Sequence, residues 1–177
     1  MDASNSVMNC CMTKAATLET SLRIDGPAEE LASECEMQPC GQCQSRGRSV
    51  SRKTVLLMLK PDLLGQARHG NYRFCFTPDC PVVYFEEESK QQFTTDDLRI
   101  RVGLKVEEDP IPLCYCFGFD ESHLREEIAR TGRTTIPETI SKLIREGMCA
   151  CDARNPSGMC CLGKVSRTAK LLKIRHS

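Results

Sequence analysis

Tyr72-Arg-Phe-Cys75-Phe-Thr-Pro-Asp-Cys80-Pro-Val-Val-Tyr-Phe85 reads as two short strands on either side of a turn, with a cysteine at each inner end. Thr77-Pro-Asp79 has turn composition, and the flanking aromatic and β-branched residues suit a half-buried pleated surface. Toward the N-terminus, Cys40-Gly-Gln-Cys43 forms a second tight pair, followed by the basic turn from Gln44 to Arg48. A C-x2-C turn sets its sulfurs about 3.5–4 Å apart, which suits a tetrahedral ion with Zn–S bonds of about 2.3 Å. Cys40, Cys43, Cys75 and Cys80 are therefore candidate ligands of one structural zinc ion, a closed shell with no position for water. His69 is an alternative ligand, but the four thiols already fill the shell. Between the pairs, residues 54–60 predict a short strand or a helical turn that ends at Pro61. Arg99-Ile-Arg-Val102 alternates charged and apolar residues, as a half-buried strand does.

Composition limits what such a unit can do. The chain has 177 residues, 24 Lys+Arg against 24 Asp+Glu, 13 Cys and no Trp. Zero net charge lacks the electrostatic footprint of a nucleic-acid binder. The aliphatic run Val55–Leu59 is far short of the roughly 20 residues that span a bilayer, so no membrane segment is expected. The start, MDASNSVMNCC, has neither the basic nor the apolar region of a secretion signal. The expected compartment is the cytoplasm, where thiols stay reduced and serve as metal ligands or redox groups. All the aromatic residues lie between Tyr72 and Phe119, so the best-packed core is expected there and the outlying segments need metal as a substitute. Residues 1–38 are polar and without periodicity, and are expected to be a disordered tail carrying Cys10, Cys11 and Cys35.

Beyond Pro112 the pattern becomes helical. Asp120 or Ser122 caps a predicted helix to about Thr131, with Leu124 and Ile128 on its apolar face and Gly132 as its stop. Thr135-Ile-Pro-Glu138 reads as a capping box opening a second helix to about Arg145, with Ile136, Ile140, Leu143 and Ile144 as its stripe. A last helix is expected from Leu162 to Ile174, with Lys164, Arg167, Lys170 and Lys173 along one face. Cysteines bracket the helix pair: Cys114-x-Cys116 before it, Cys149-x-Cys151 and Cys160-Cys161 after it. Four of these thiols suit either a second zinc ion or a [2Fe–2S] cluster. The wall of Tyr115, Phe117 and Phe119 and the surplus of sulfur lean toward the cluster.

Arg73-Phe-Cys-Phe-Thr-Pro-Asp-Cys-Pro-Val-Val-Tyr-Phe85, Arg101-Val-Gly103, Cys114-Tyr-Cys-Phe-Gly118 and Cys149-Ala-Cys-Asp-Ala-Arg-Asn-Pro-Ser-Gly-Met-Cys-Cys-Leu-Gly163 resemble the N-terminal iron–sulfur and zinc region of the CopZ-type copper chaperones, over roughly residues 38–165. The second half also resembles the bacterioferritin-associated ferredoxin domain. The resemblance implies an α+β chain: a small zinc-ribbon-like β unit at 39–110, then a helical [2Fe–2S] domain at 111–177. It implies zinc at Cys40, Cys43, Cys75 and Cys80. It implies a [2Fe–2S] cluster at Cys114, Cys116, Cys149 and one of Cys160/Cys161, with Cys161 preferred, leaving Cys151 and Cys160 as accessory thiols. It implies Cu(I) as a further metal and a copper-binding chaperone domain or copper-transporting ATPase as partner. The M-x-C-x-x-C loop of copper-delivering members is missing; Met37-Gln-Pro-Cys40 is off by one position.

Three functions fit this reading. The first is a one-electron redox module in copper handling that reduces Cu(II) to Cu(I), the form soft thiolates hold. The second is a general ferredoxin-like carrier. The third is a non-redox, zinc-stabilised adaptor whose basic C-terminal helix docks an acidic partner. An enzyme of the usual kind is not indicated: His69, His123 and His176 lack a nucleophile pattern, and no phosphate loop occurs.

Overall fold

Ser51 starts the first described helix by accepting a hydrogen bond from Thr54 N at 3.1 Å, so residues 54–58 enter an α-helix, while Leu59 makes an isolated β-bridge with Leu98. The computed structural model describes residues 39–176, and the 1–38 segment with Cys10, Cys11, Cys35 and Met37 lies outside them. The elements in chain order are β1 (Arg48–Val50), α1 (Arg52–Met58), β2 (Tyr72–Phe74), β3 (Val82–Glu86), β4 (Gln92–Thr94), β5 (Pro112–Cys114) and β6 (Phe119–Asp120), followed by α2 (Glu121–Thr131), α3 (Ile136–Arg145), α4 (Cys151–Arg154) and α5 (Leu162–His176). Strands β1 to β4 form one antiparallel sheet in sequence order, and β5 pairs with β6 in a separate hairpin.

The strand pair either side of Thr77-Pro-Asp79 is β2 and β3, in the register Arg73 with Phe85 and Phe74 with Tyr84. A bulge between Val82 and Tyr84 on β3 breaks the simple in–out alternation. Val83 and Tyr84 enter the core with Val55, Leu59, Tyr72, Phe74 and Phe93, while Val82 and Phe85 pack on the cysteines. The helical half has an aliphatic core of Leu113, Leu124, Ile140 and Val165.

Two local expectations need correction. Arg99–Val102 is no strand: Arg99 N bonds to Met58 O at 2.9 Å, and the segment bends away with Val102 buried and no β partner. The capping box at Thr135 does not form. Glu127, on α2, takes the Thr135 N–H and hydroxyl at 3.1 and 2.9 Å, so one helix caps the next. Glu86, at the end of β3, is only 3% exposed. Its carboxylate accepts the N–H groups of Asn71, Glu88 and Ser89 and fixes the turn after β3.

The sheet and the helices share buried polar joints. Tyr84 Oη, on β3, donates to Pro156 O at 2.8 Å, and Thr54 Oγ1, on α1, donates to Asp152 O at 2.5 Å. Gly103 is clasped from two directions. Its N–H donates to Tyr115 Oη at 2.8 Å, and its carbonyl accepts from Lys164 Nζ at 2.9 Å. A Cβ at Gly103 would overlap the Pro112 carbonyl, so only glycine lets the two backbones approach this closely.

Candidate metal centres

Two turns deliver the first set of sulfurs. Gln44 N bonds to Cys40 O and Cys40 N to Ser45 O, both at 2.8 Å, which wraps the chain around the C-x2-C pair. Cys75 follows β2 with its N–H on Val83 O at 2.9 Å, and Cys80 closes the knuckle with its N–H on Thr77 O at 3.2 Å. The four sulfurs lie within 4.8 Å of one another. Cys40 and Cys80 are 3.9 Å apart, and Cys43 and Cys75 are 3.5 Å apart. A tetrahedron with bonds of about 2.3 Å has edges of about 3.8 Å, so the spacing fits zinc. His69 is exposed and outside this group.

Solvent is excluded on most sides, since Cys40 and Cys75 are fully buried. Burial pushes the Cys80 thiol up to about 12 and raises Cys40 as well. Burial also acts upward on Cys43, but hydrogen bonds from Thr77, the Ser45 backbone, Cys75 and Cys80 outweigh it and bring that thiol down to about 6. Cys43 is thus the thiol that deprotonates first, and a divalent ion supplies the field that strips the others. Lys105 adds a fixed cation: its Nζ donates to Thr77 O at 2.6 Å and to Cys80 O at 3.1 Å, on the backbone of the knuckle. Four thiolates around one divalent ion carry a net charge of minus two, which an ammonium at that position offsets.

The second set is arranged differently. Cys114 ends β5, Cys116 lies in the β5–β6 turn, Cys151 opens α4, and Cys161 precedes α5 with its carbonyl accepting Val165 N at 3.0 Å. The sulfurs pair two by two: Cys114 with Cys161 at 3.0 Å, and Cys116 with Cys151 at 3.6 Å. Ala150 N donates to Cys116 Sγ at 3.4 Å. Among the described residues, no other sulfur is within hydrogen-bonding distance of Cys149, which is half-buried, or of Cys160, which is exposed. The fold therefore brings Cys151, rather than Cys149, beside Cys116. It also turns Cys161 inward and Cys160 outward.

The contact with Cys161 brings the Cys114 thiol down to about 6, while the same contact and burial push Cys161 up. Burial pushes Cys151 up to about 11. His123, the histidine nearest in sequence to this set, is held in the α2 cap, with Nδ1 2.8 Å from Asp120 Oδ1. Tyr84, Lys105, Tyr115 and Lys164 support the two sites through bonds that motif reading does not reveal, because their partners are distant backbone atoms.

Residues 37–99 match the family model of the CopZ-type zinc-binding domain. The solved N-terminal domain of Archaeoglobus fulgidus CopZ superposes with a TM-score of 0.59 at 33% identity, covering 73% of this chain and 95% of that one. The chain belongs to the CopZ family. The copper chaperone CopZ of Archaeoglobus fulgidus is 34% identical over 131 residues, which are 74% of this chain and 61% of that protein. The chain thus spans less than two thirds of that CopZ. It carries the family's zinc-binding domain, a mixed α/β unit followed by helices, with a four-cysteine cluster suited to the ion.

Proposed function

We propose that this protein is a metallochaperone-type redox module of copper handling, with one structural zinc ion and one [2Fe–2S] cluster. The observation that carries the cluster is the pairing of the second set of sulfurs. A lone zinc ion needs all four thiols mutually close, and among the described residues only Cys40, Cys43, Cys75 and Cys80 meet that condition. Two separate pairs match two irons, each taking two terminal thiolates. Cys114 with Cys161 and Cys116 with Cys151 are the ligands in this reading, which replaces Cys149 by Cys151, and the helical half serves as a ferredoxin-type domain.

When bound, the cluster supplies single electrons, which suffice to turn Cu(II) into the Cu(I) that soft thiolate carriers hold. The chain's own residues set the conditions. The Ala150 N–H donates to the Cys116 sulfur, and the start of α5 faces Cys161 with its positive end, both of which favour added negative charge. Tyr115, Phe117 and Phe119, each half-buried, supply apolar surface along the β5–β6 hairpin. The zinc cage takes no part in the chemistry; it pins the end of β2 to the start of β3. The Cu(I) product passes to a copper-binding chaperone domain or a copper-transporting ATPase, in the cytoplasm. No described helix is long and apolar enough to cross a membrane.

Protein purified without oxygen tests this. The expected result is one zinc and two irons per chain, visible absorbance that dithionite bleaches, and reoxidation by Cu(II). Cys151→Ser loses iron and colour and keeps zinc, whereas Cys149→Ser keeps both. A colourless protein with two zinc ions per chain refutes the proposal.

A further inference from the structure

We propose that the groove beside Cys160 and the outward face of α5 form the docking surface for an acidic protein that delivers single electrons to the second thiol site. The electron step rests on the iron–sulfur reading above; the docking itself does not.

Charge segregation is the first ground. The chain balances 24 cations against 24 anions, yet after Asp152 it has no acidic residue and six basic ones: Arg154, Lys164, Arg167, Lys170, Lys173 and Arg175. Arg167 and Lys170 are exposed, and among the described residues neither forms an ion pair. Cations left without local partners on one face raise a positive potential there, which speeds encounter with an anionic surface.

Shape is the second ground. A groove of about 410 Å³ runs along the start of α5, lined by Phe76, Leu104, Tyr115, Met159 and Cys160, with Lys164 and Arg167 at its edge. Phe76 is 38% exposed and Met159 37%, and Arg48 Nη1 donates to the Met159 sulfur at 3.4 Å. Further along α5, Leu171 and Ile174 are 53% and 73% exposed among the cations. An apolar centre inside a charged rim is the anatomy of a protein–protein contact. A phosphate backbone would leave the apolar groove uncovered. An anionic bilayer would find only Leu171 and Ile174 on α5, since Val165 and Ala169 are already buried, and would leave the groove at Phe76 and Met159 uncovered.

Position is the third ground. Tyr115 on the groove wall sits between Cys114 and Cys116, and Cys160 is bonded directly to Cys161. A partner seated here lies a few bonds from three of the four inferred ligands. The step balances simply: one ferrous ion of the donor becomes ferric as one ferric ion held by this chain becomes ferrous, with no bond broken and no proton moved.

The probe is an acidic plant-type ferredoxin, reduced, with the holoprotein. In an NMR titration of ¹⁵N-labelled protein, amides of α5 and of Met159 to Gly163 are expected to shift, with affinity falling at least about tenfold between about 20 and 200 mM salt. In stopped flow, Arg167→Glu/Lys170→Glu lowers the second-order electron-transfer rate at least about tenfold at low salt. Lys53→Glu/Lys60→Glu leaves that rate within about twofold, and oxidation of the reduced protein by neutral O2 stays unchanged in both variants. The proposal is overturned if α5 does not respond, if both charge reversals act equally, or if phosphatidylserine vesicles or duplex DNA bind α5 more tightly than the ferredoxin. An iron-free protein whose α5 still shifts overturns the electron step and the iron–sulfur reading, while leaving the docking face in place.

Discussion

Replacing Tyr84 by phenylalanine removes one oxygen atom from the joint between the sheet and the segment that carries Cys151 and Cys161. The Tyr84 ring is fully buried, its hydroxyl donates to Pro156 O at 2.8 Å, and Pro156 is itself buried. The phenylalanine ring keeps the apolar contacts, so the whole cost falls on a carbonyl left without a partner. A stranded buried acceptor costs about 1–3 kcal/mol. For a unit of this size, at about 2–4 °C per kcal/mol, that lowers the thermal midpoint by about 2–12 °C. The assay follows far-UV circular dichroism, visible absorbance and zinc release in one anaerobic melt. All three signals should move down together, because the bond joins β3, whose start the zinc cage pins, to the loop between Cys151 and Cys161. An unchanged midpoint would refute the reasoning. So would colour lost early while the sheet melts as in the wild type, because the two halves would then not be energetically joined.

Cys80→Ser should abolish zinc retention by metal analysis and unfold the β2–β3 knuckle, since a structural zinc site contributes about 10–16 kcal/mol to folding. Glu86 gives a pH signature. Burial acts to raise its carboxyl, but hydrogen bonds from the Ser89, Glu88 and Asn71 groups outweigh burial and hold it below the usual carboxylate value. Its contribution is therefore complete above the unfolded value and is lost as pH falls through the lower folded one. Denaturant melts should show Glu86→Gln about 1–3 kcal/mol less stable at neutral pH, with a flatter decline below about pH 4.5. Gly103→Ala should cost about 3 kcal/mol or more by the same melts and loosen the second thiol site, because the added methyl meets the Pro112 carbonyl backbone rather than a movable side chain.

The two sites differ in how far local sequence specifies them. Cys75 and Cys80 end adjacent strands, and Cys40 and Cys43 share one turn, so their spacing alone names the four sulfurs that the fold gathers. In the second set the choice between Cys149 and Cys151 depends on where a helix begins. Cys151 is the first residue of α4, and that turn aims its sulfur at Cys116. Spacing carries no such phase information. Asp120 and Gly132 mark the ends of α2 plainly, and the left-handed φ of 74° at Gly132 is the reason a glycine stands there. The Thr135 cap misleads because Glu127, eight residues earlier, competes for the same groups. Tyr84, Lys105 and Lys164 bond to backbone carbonyls remote in sequence, and such contacts leave no periodic trace.

The thiols of the second set are contributed from both sides of the α2–α3 hairpin. Cys114 and Cys116 come before it, Cys151 and Cys161 after it. Until Leu124, Ile140 and Val165 have packed α2 and α3 onto α5, the partners in each pair are ends of a long loop, and no preformed pocket exists to receive a metal. On the iron–sulfur reading proposed above, cofactor loading is thus a late event in the protein's maturation, reserved for chains that have already assembled correctly.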